Sequence, residues 1–245
     1  MDENPEAEVL NLLSDLEGEL AAALNSLGGK VPKAITDRYY LEIGTYIHRA
    51  ADGYLVLRNK GRIDASKLLI RPAIEATIRV QALRKKPEIF YQIAYSERLE
   101  DHKWLRPAAE KAGMPYDKDP DPPGWNEFEK AFQAEFPSVP LNRTKLPLRD
   151  AAVIAGLGAY YDSHYRLYCQ YAHAALRAMG GHSDDITDPE DTRTMILCAF
   201  AALGGLMAIG AESLNADSLH ARVDRLSKSK SLSFKRAPVA ATPNS

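Results

Sequence analysis

The chain has 245 residues, 45% of them apolar and 26% charged, with a formal net charge of −2. That length supports one large domain or two small ones with a substantial core, and the balance excludes fibrous, collagenous and largely disordered chains. Two cysteines, Cys169 and Cys198, cannot form a multi-bridge framework, and no Cys-x-x-Cys occurs. This argues for a reducing compartment and against a zinc ribbon or thiol-redox role.

Ala and Leu together number 63, against 29 for Val, Ile and Thr. Helix formers outweigh the β-branched residues about two to one, so the expected fold is all-α. No period-two run of any length occurs, and no sheet is expected. The expectation is a single-domain bundle of seven to nine helices over 1–226, with a Pro-rich excursion at 113–147 and a disordered basic tail at 227–245.

In chain order, Asn4 and Pro5 open the first helix, with acids in its first turn. Val9, Leu13, Leu16, Leu20, Leu24 and Leu27 recur at helical spacing until Gly28-Gly29. A second helix is expected from Lys33 to Asn59, with a stripe of Ile35, Tyr39, Ile43, Tyr46, Ala50, Tyr54 and Leu57. A third runs from Asp64 to Lys86, with Pro72 inside it and a kink expected there. A fourth opens at Pro87-Glu88 and reaches about Leu105. The loop 113–124 holds four prolines. Trp125 to Phe136 then places Trp125, Phe128, Phe132 and Phe136 on one side of a short helix.

Leu148–Gly156 and Tyr160–Met179 form the next helical pair. Asp188-Pro189-Glu190-Asp191 is a strong helix start. The helix it opens, ending near Leu214, includes 17 uncharged residues from Met195 to Ala211. A membrane span needs about 20 apolar residues, and this run contains Gly204, Gly205 and Gly210. It therefore reads as a buried bundle helix whose small residues admit close neighbours. A last short helix is expected at Asp217 to Leu226.

The first twenty residues carry seven acids and no base, unlike a secretory leader. Residues 216–245 carry six bases and two acids. The tail reads either as a solvated end or as an electrostatic arm toward nucleic acid or an anionic surface. A cytoplasmic chain without membrane contact is expected.

The richest segment is 160–177, with five of the twelve tyrosines and two of the six histidines. Arg166 and His173 are seven apart, which on a helix places both on one face about 10 Å apart along the axis. Gln170 lies between them, Arg177 continues the stripe, and Asp162 can pair with Arg166 at i,i+4. Such an Arg and His suit metal-independent phosphodiester chemistry, His173 moving the proton and Arg166 stabilising phosphate charge. The same residues also fit a satisfied hydrogen-bond network inside a bundle. The tyrosines, Tyr165 among them, suit base stacking or plain packing.

A second constellation is Arg71-Pro-Ala-Ile-Glu75 followed by Arg79, with each pair one helical turn apart. It reads as an intrahelical charge ladder, or as a buried pair meeting the Arg166/His173 helix. Glu97, Glu100, Asp101 and His102 cluster in the fourth helix without a Glu-x-x-His. His182-Ser-Asp-Asp185 reads as a cap region. No metal and no cofactor is expected, and no phosphate-loop, dinucleotide or Gly-x-Ser-x-Gly motif is present.

Arg71-x-x-x-Glu75 and Tyr161-x-x-x-Tyr165-Arg166-x-x-Cys169-x-x-x-His173 together resemble a bacterial all-helical family of unknown function. The likeness runs from about Lys67 to Arg177. Its members pair an Arg-x-x-x-Glu helix with a Tyr-Arg-x-x-Ser-x-x-x-His helix. Here Cys169 replaces the usual Ser, and Ala174 stands where Pro is common.

The segment from Arg166 to His173 also looks like the HEPN superfamily of helical ribonucleases and defence toxins, with Leu167 where a polar residue is usual. That likeness implies an RNA-directed protein of bacterial defence. In its catalytic form this is a metal-independent ribonuclease using Arg166 and His173, supported by Arg71, Glu75, Gln170, Tyr165 and Arg177. RNA, a protein partner or a second copy are the partners implied. A noncatalytic interaction or regulatory module and a small-molecule bundle with a Tyr-lined pocket stay open beside it.

Overall fold

A computed structural model describes residues 5–27, 29, 32–113, 124–172, 188–211 and 218–223. Among them the fold is all-α, with no strand and eight helices of seven residues or more. The segments are α1 (Pro5–Ser26), α2 (Ile35–Asn59), α3 (Ile63–Lys67), α4 (Ile70–Lys85) and α5 (Phe90–Lys111). They continue as α6 (Trp125–Glu135), α7 (Leu148–Ala155), α8 (Gly158–Tyr160), α9 (Arg166–Ala172) and α10 (Asp188–Ala208). Residues 218–223 are helical as well. The Asn4 cap, loop 114–123, segment 173–187 and basic tail lie outside the described residues.

The bundle is built around α10, against which α1, α2 and α4 pack. Over Glu190–Ala208 this helix is long and apolar enough to cross a membrane, yet 67% of that stretch is buried inside the bundle. Met195, Ala199, Ala202, Leu203 and Leu206 are in the core. α1 supplies Val9, Leu12, Leu13, Leu16 and Leu20, all buried, while Leu24 and Leu27 pack at the edge. The small-residue reading of α10 holds at Gly204 and Gly205 but not at Gly210, where a Cβ would meet nothing within 4 Å. A Cβ on Gly44 of α2 would stand 2.7 Å from Leu206 Cδ2, and one on Gly205 would stand 3.3 Å from Tyr40 Cδ1. The helices touch backbone to side chain, which a larger residue would prevent.

The α2 stripe is rotated slightly from the sequence expectation. Tyr39, Ala50 and Tyr54 are buried as expected, but Tyr46 is 43% exposed, and Ile47 and Ala51 fill the inner positions. Glu135 of α6 accepts hydrogen bonds from the Ile35 N–H (2.9 Å) and the Thr36 hydroxyl. A carboxylate from a distant helix thus satisfies the first turn of α2, where Ala34 offers no side-chain cap.

The expected kink at Pro72 is not found. The chain breaks earlier, at Leu68–Leu69, and α4 begins at Ile70. Pro72 therefore lies in the first turn, where its missing N–H has no helical acceptor to lose. At the other end, α5 runs past Leu105 through Pro107 to Lys111. α10 stops at Ala208 rather than Leu214, because Gly210 turns left-handed at φ 89°. Aromatics on α5 and α6 form the second part of the core. Tyr91 lies 5.4 Å from Phe132 and 5.8 Å from Trp125 between ring centroids.

Gly44→Val should destabilise the fold by about 1–3 kcal/mol through overpacking. Leu206→Ala in the same chain should recover part of that loss in urea unfolding. Additive losses from the two changes would show that the contact is not tight.

Candidate functional site

The first site element is the start of α4. Arg71 and Glu75 are one turn apart, and Arg71 Nε donates to Glu75 Oε1 at 3.1 Å. Both are about one-quarter exposed. Tyr165, from the segment before α9, donates its hydroxyl to the same Glu75 oxygen at 2.7 Å. Its ring lies 5.9 Å from the Arg71 guanidinium carbon. Glu75 thus joins the Arg-x-x-x-Glu helix to the Tyr-rich segment. Burial, with the Glu75 hydrogen bond, holds the Tyr165 phenol well above its ordinary pKa. It is a donor near neutral pH, not a proton shuttle.

The ladder expected through Arg79 is not made along α4. Arg79 Nη1 pairs instead with Glu97 of α5 at 3.2 Å, and Tyr39 donates to the same oxygen at 2.8 Å. Burial is the main reason the Glu97 carboxyl sits above its ordinary range, with Arg79 and Tyr39 opposing the shift. Tyr46 lies near Glu75 and Arg79. Its phenol pKa is raised by burial and then by Glu75, against the pull of Arg79.

A cleft of about 430 Å³ opens beside these groups. Arg71, Glu75, Arg79, Glu100 and Lys145 give it a charged rim, and Tyr165 and Ser96 add hydroxyls. Its apolar lining is Ile93, Leu146, Leu148 and Ala151. One wall is the irregular stretch of chain before α7. There the Leu146 N–H donates to Ser96 Oγ at 2.8 Å, Gln92 Nε2 donates to Thr144 Oγ1 at 2.9 Å, and Lys145 pairs with Glu100. Glu97 and Glu100 of the expected fourth-helix cluster are therefore ion-pair partners. Among the described residues, no three His, Cys, Asp or Glu side chains converge as metal ligands.

The Tyr-rich helix is not uniform. Residues Tyr161–Tyr165 form a π turn between α8 and α9, an irregularity the sequence pattern did not predict. An α-helix would leave positions 160 and 168 about 80° apart around the axis. The wider π turn takes up part of that angle, and both tyrosines reach α10. Tyr168 donates to Asp191 Oδ1 at 2.6 Å and Tyr160 to Thr194 Oγ1 at 3.1 Å. From α2, Tyr54 and Thr192 share a hydrogen bond at 3.0 Å. Asp191 and Tyr168 are fully buried. Burial, then the nearby Asp191 charge, raises the Tyr168 phenol far above its ordinary range.

Arg166 opens α9 and is exposed. Asp162 pairs with Arg149 of α7 at 3.4 Å rather than with Arg166, because the intervening π turn spoils the i,i+4 geometry. The backbone is regular α-helix from Arg166 to Ala172. His173, Arg177 and the Gln170 side chain lie outside the described residues. Cys169 is partly buried and free, while Cys198 is buried, and burial pushes its thiol up to about 12.

These two helices, with the buried Tyr168–Asp191 contact, fall inside one matched region. A family model covers residues 43–191. The chain belongs to a family of unknown function, DUF5677. The DUF5677 match is wider than the Lys67–Arg177 likeness, taking in most of α2 and the first residues of α10. No curated protein and no solved structure matches the chain.

Tyr168→Phe removes a donor from a buried carboxylate and should cost about 1–3 kcal/mol in urea unfolding. Tyr165→Phe, at the partly exposed Glu75, should cost about 0.5–1.5 kcal/mol. The reverse order would show that the Asp191 contact is not the stronger anchor. Burial also lowers the His164 pKa from its ordinary 6.5, with Glu190 opposing. The unfolded chain then binds the proton more readily, so stability should fall as pH drops below 6.5. His164→Gln should flatten that slope.

Proposed function

We propose that this DUF5677 chain is a HEPN-like, RNA-directed protein that cleaves RNA without a metal. The reading rests on one observation. The Tyr165–Glu75 hydrogen bond fastens the Arg-x-x-x-Glu helix to the segment bearing Arg166, beside a cleft edged by Arg71, Arg79 and Lys145. Guanidinium and ammonium groups there attract an anionic backbone and steer its approach. Exposed Arg166 meets the scissile phosphate, where it stabilises charge developing on the non-bridging oxygens. His173 takes the proton from the ribose 2′-hydroxyl, whose oxygen attacks the adjacent phosphorus as the P–O5′ bond breaks and the leaving 5′-oxygen takes a proton from water. Arg71 and Glu75 orient the assembly, with Gln170 and Arg177 as further polar support. Bacterial defence is the setting this reading implies.

A noncatalytic interaction or regulatory module is the competing reading. It is favoured by the pairing of each rim cation with an acid: Arg71 with Glu75, Arg79 with Glu97 and Lys145 with Glu100. A Tyr-lined small-molecule pocket has less support, since the hydroxyls of Tyr54, Tyr160 and Tyr168 bond to residues of α10.

Purified full-length chain should cleave unstructured RNA in the presence of chelator. His173→Ala and Arg166→Ala should each slow cleavage by about 100-fold or more. RNA that binds without being cut would favour the noncatalytic module. Equal cleavage by wild type and His173→Ala would reject the catalytic assignment.

A further inference from the structure

The cleft joins two kinds of surface that an anionic backbone alone does not require. Its rim carries Arg71, Arg79 and Lys145 beside the acids Glu75 and Glu100, and its floor is formed by Ile93, Leu146, Leu148 and Ala151. Ile93 and Ala151 are rooted in the core at 3% and 2% exposure. The floor and rim are joined through the chain itself, because Lys145 and Leu146 are consecutive. Ser96 fixes that pair by accepting the Leu146 N–H, while its own hydroxyl donates to the Gln92 carbonyl at 2.6 Å. The cleft volume of about 430 Å³ falls in the range of small-ligand sites, about 300–1,000 Å³. Water gains little from an aliphatic floor, whereas a flat, weakly polar ring displaces it favourably.

We infer that this cleft seats one unstacked nucleotide, its base on the Ile93/Leu146/Leu148/Ala151 floor and its phosphate at the Arg71/Arg79/Lys145 rim. The inference rests on the RNA-directed reading for the source of that nucleotide, an unpaired RNA strand. Arg71 donates to Glu75 through Nε, which fixes the plane of its guanidinium fork at the rim. The Lys145–Glu100 pair is about half exposed, so exchanging the carboxylate for a phosphate costs little. Seating the base on the floor sorts unpaired strands from duplexes, whose bases are stacked away from the protein.

Calorimetric titration of the full chain with UMP, AMP, uridine and inorganic phosphate tests this. Both nucleotides should bind about tenfold or more tighter than phosphate or uridine, since base and phosphate each add contacts. Leu146→Ser should weaken nucleotide binding about tenfold and leave phosphate binding unchanged. Lys145→Ala, at an exposed position, should weaken nucleotides and phosphate together. Leu148→Ser is the substitute if Leu146→Ser does not give a cooperative unfolding transition. Phosphate binding as tightly as the nucleotides, or floor variants that leave their ratio unchanged, would overturn the base seat. Failure to bind nucleotides while RNA is still cleaved would overturn this inference alone. Nucleotide binding with no RNA cleavage would support the seat and reject the ribonuclease.

Discussion

The constraint that organises this molecule is the burial of polar groups at the start of its most apolar helix. Asp191, Thr192 and Thr194 lie in the first turns of α10 and are almost wholly removed from water. A carboxylate and hydroxyls in such a place need hydrogen-bond partners, or their desolvation opposes folding. Tyr168, Tyr54 and Tyr160 supply them from three other parts of the chain. Each tyrosine buries a ring while bringing a hydroxyl to the polar end, a combination no aliphatic residue offers. The central helix therefore enters the bundle in one orientation, and the π turn is the local adjustment that lets two of those tyrosines reach it.

From that anchoring the cleft follows. Tyr165 lies within the same short segment, three residues before Tyr168, and turns toward α4 instead of α10. Its bond to Glu75 fixes the separation of the segment from α4 and carries Arg166 to the surface nearby. The opposite wall depends on Ser96 and Glu100 of α5, which hold the chain before α7. The site is thus assembled from α4, α5, the 141–147 stretch and the Tyr-rich segment. No one of them carries enough charge and apolar surface to bind a ligand alone.

Much of the scaffold could be read directly. Pro5, Gly61 and the Asp188-Pro189 start coincide with real helix boundaries, because caps and breakers act over a few residues. The leucine stripe of α1 and the small residues of α10 also announced their roles, since periodicity reports which face is buried. The failures involve partners distant in sequence. Nothing around Ala34 indicated that Glu135, 100 residues from Ile35, would satisfy the start of α2. Arg79 chose Glu97 over Glu75 because helix packing brought a carboxylate of α5 to it, and Asp162 chose Arg149 over Arg166 because the π turn spoiled the intrahelical spacing. The Arg71–Glu75 pair was visible as a spacing, but its attachment to Tyr165 was not. Lys145 and Leu146 lie in a stretch without periodicity, so only the fold brings them to the cleft.

The π turn also changes how this segment tolerates lengthening and shortening. Excising one residue from Tyr161–Tyr165 would let an ordinary α-helix form there, at no loss of helical content. Seven α steps make about 700°, roughly 20° short of two turns, so Tyr160 and Tyr168 would still face α10 together. Rewinding the same five residues as α-helix with nothing removed would instead set the two tyrosines about 80° apart and draw Tyr168 away from Asp191. The quantity held fixed is the angular phase between two tyrosine hydroxyls, and the irregular winding is what sets it.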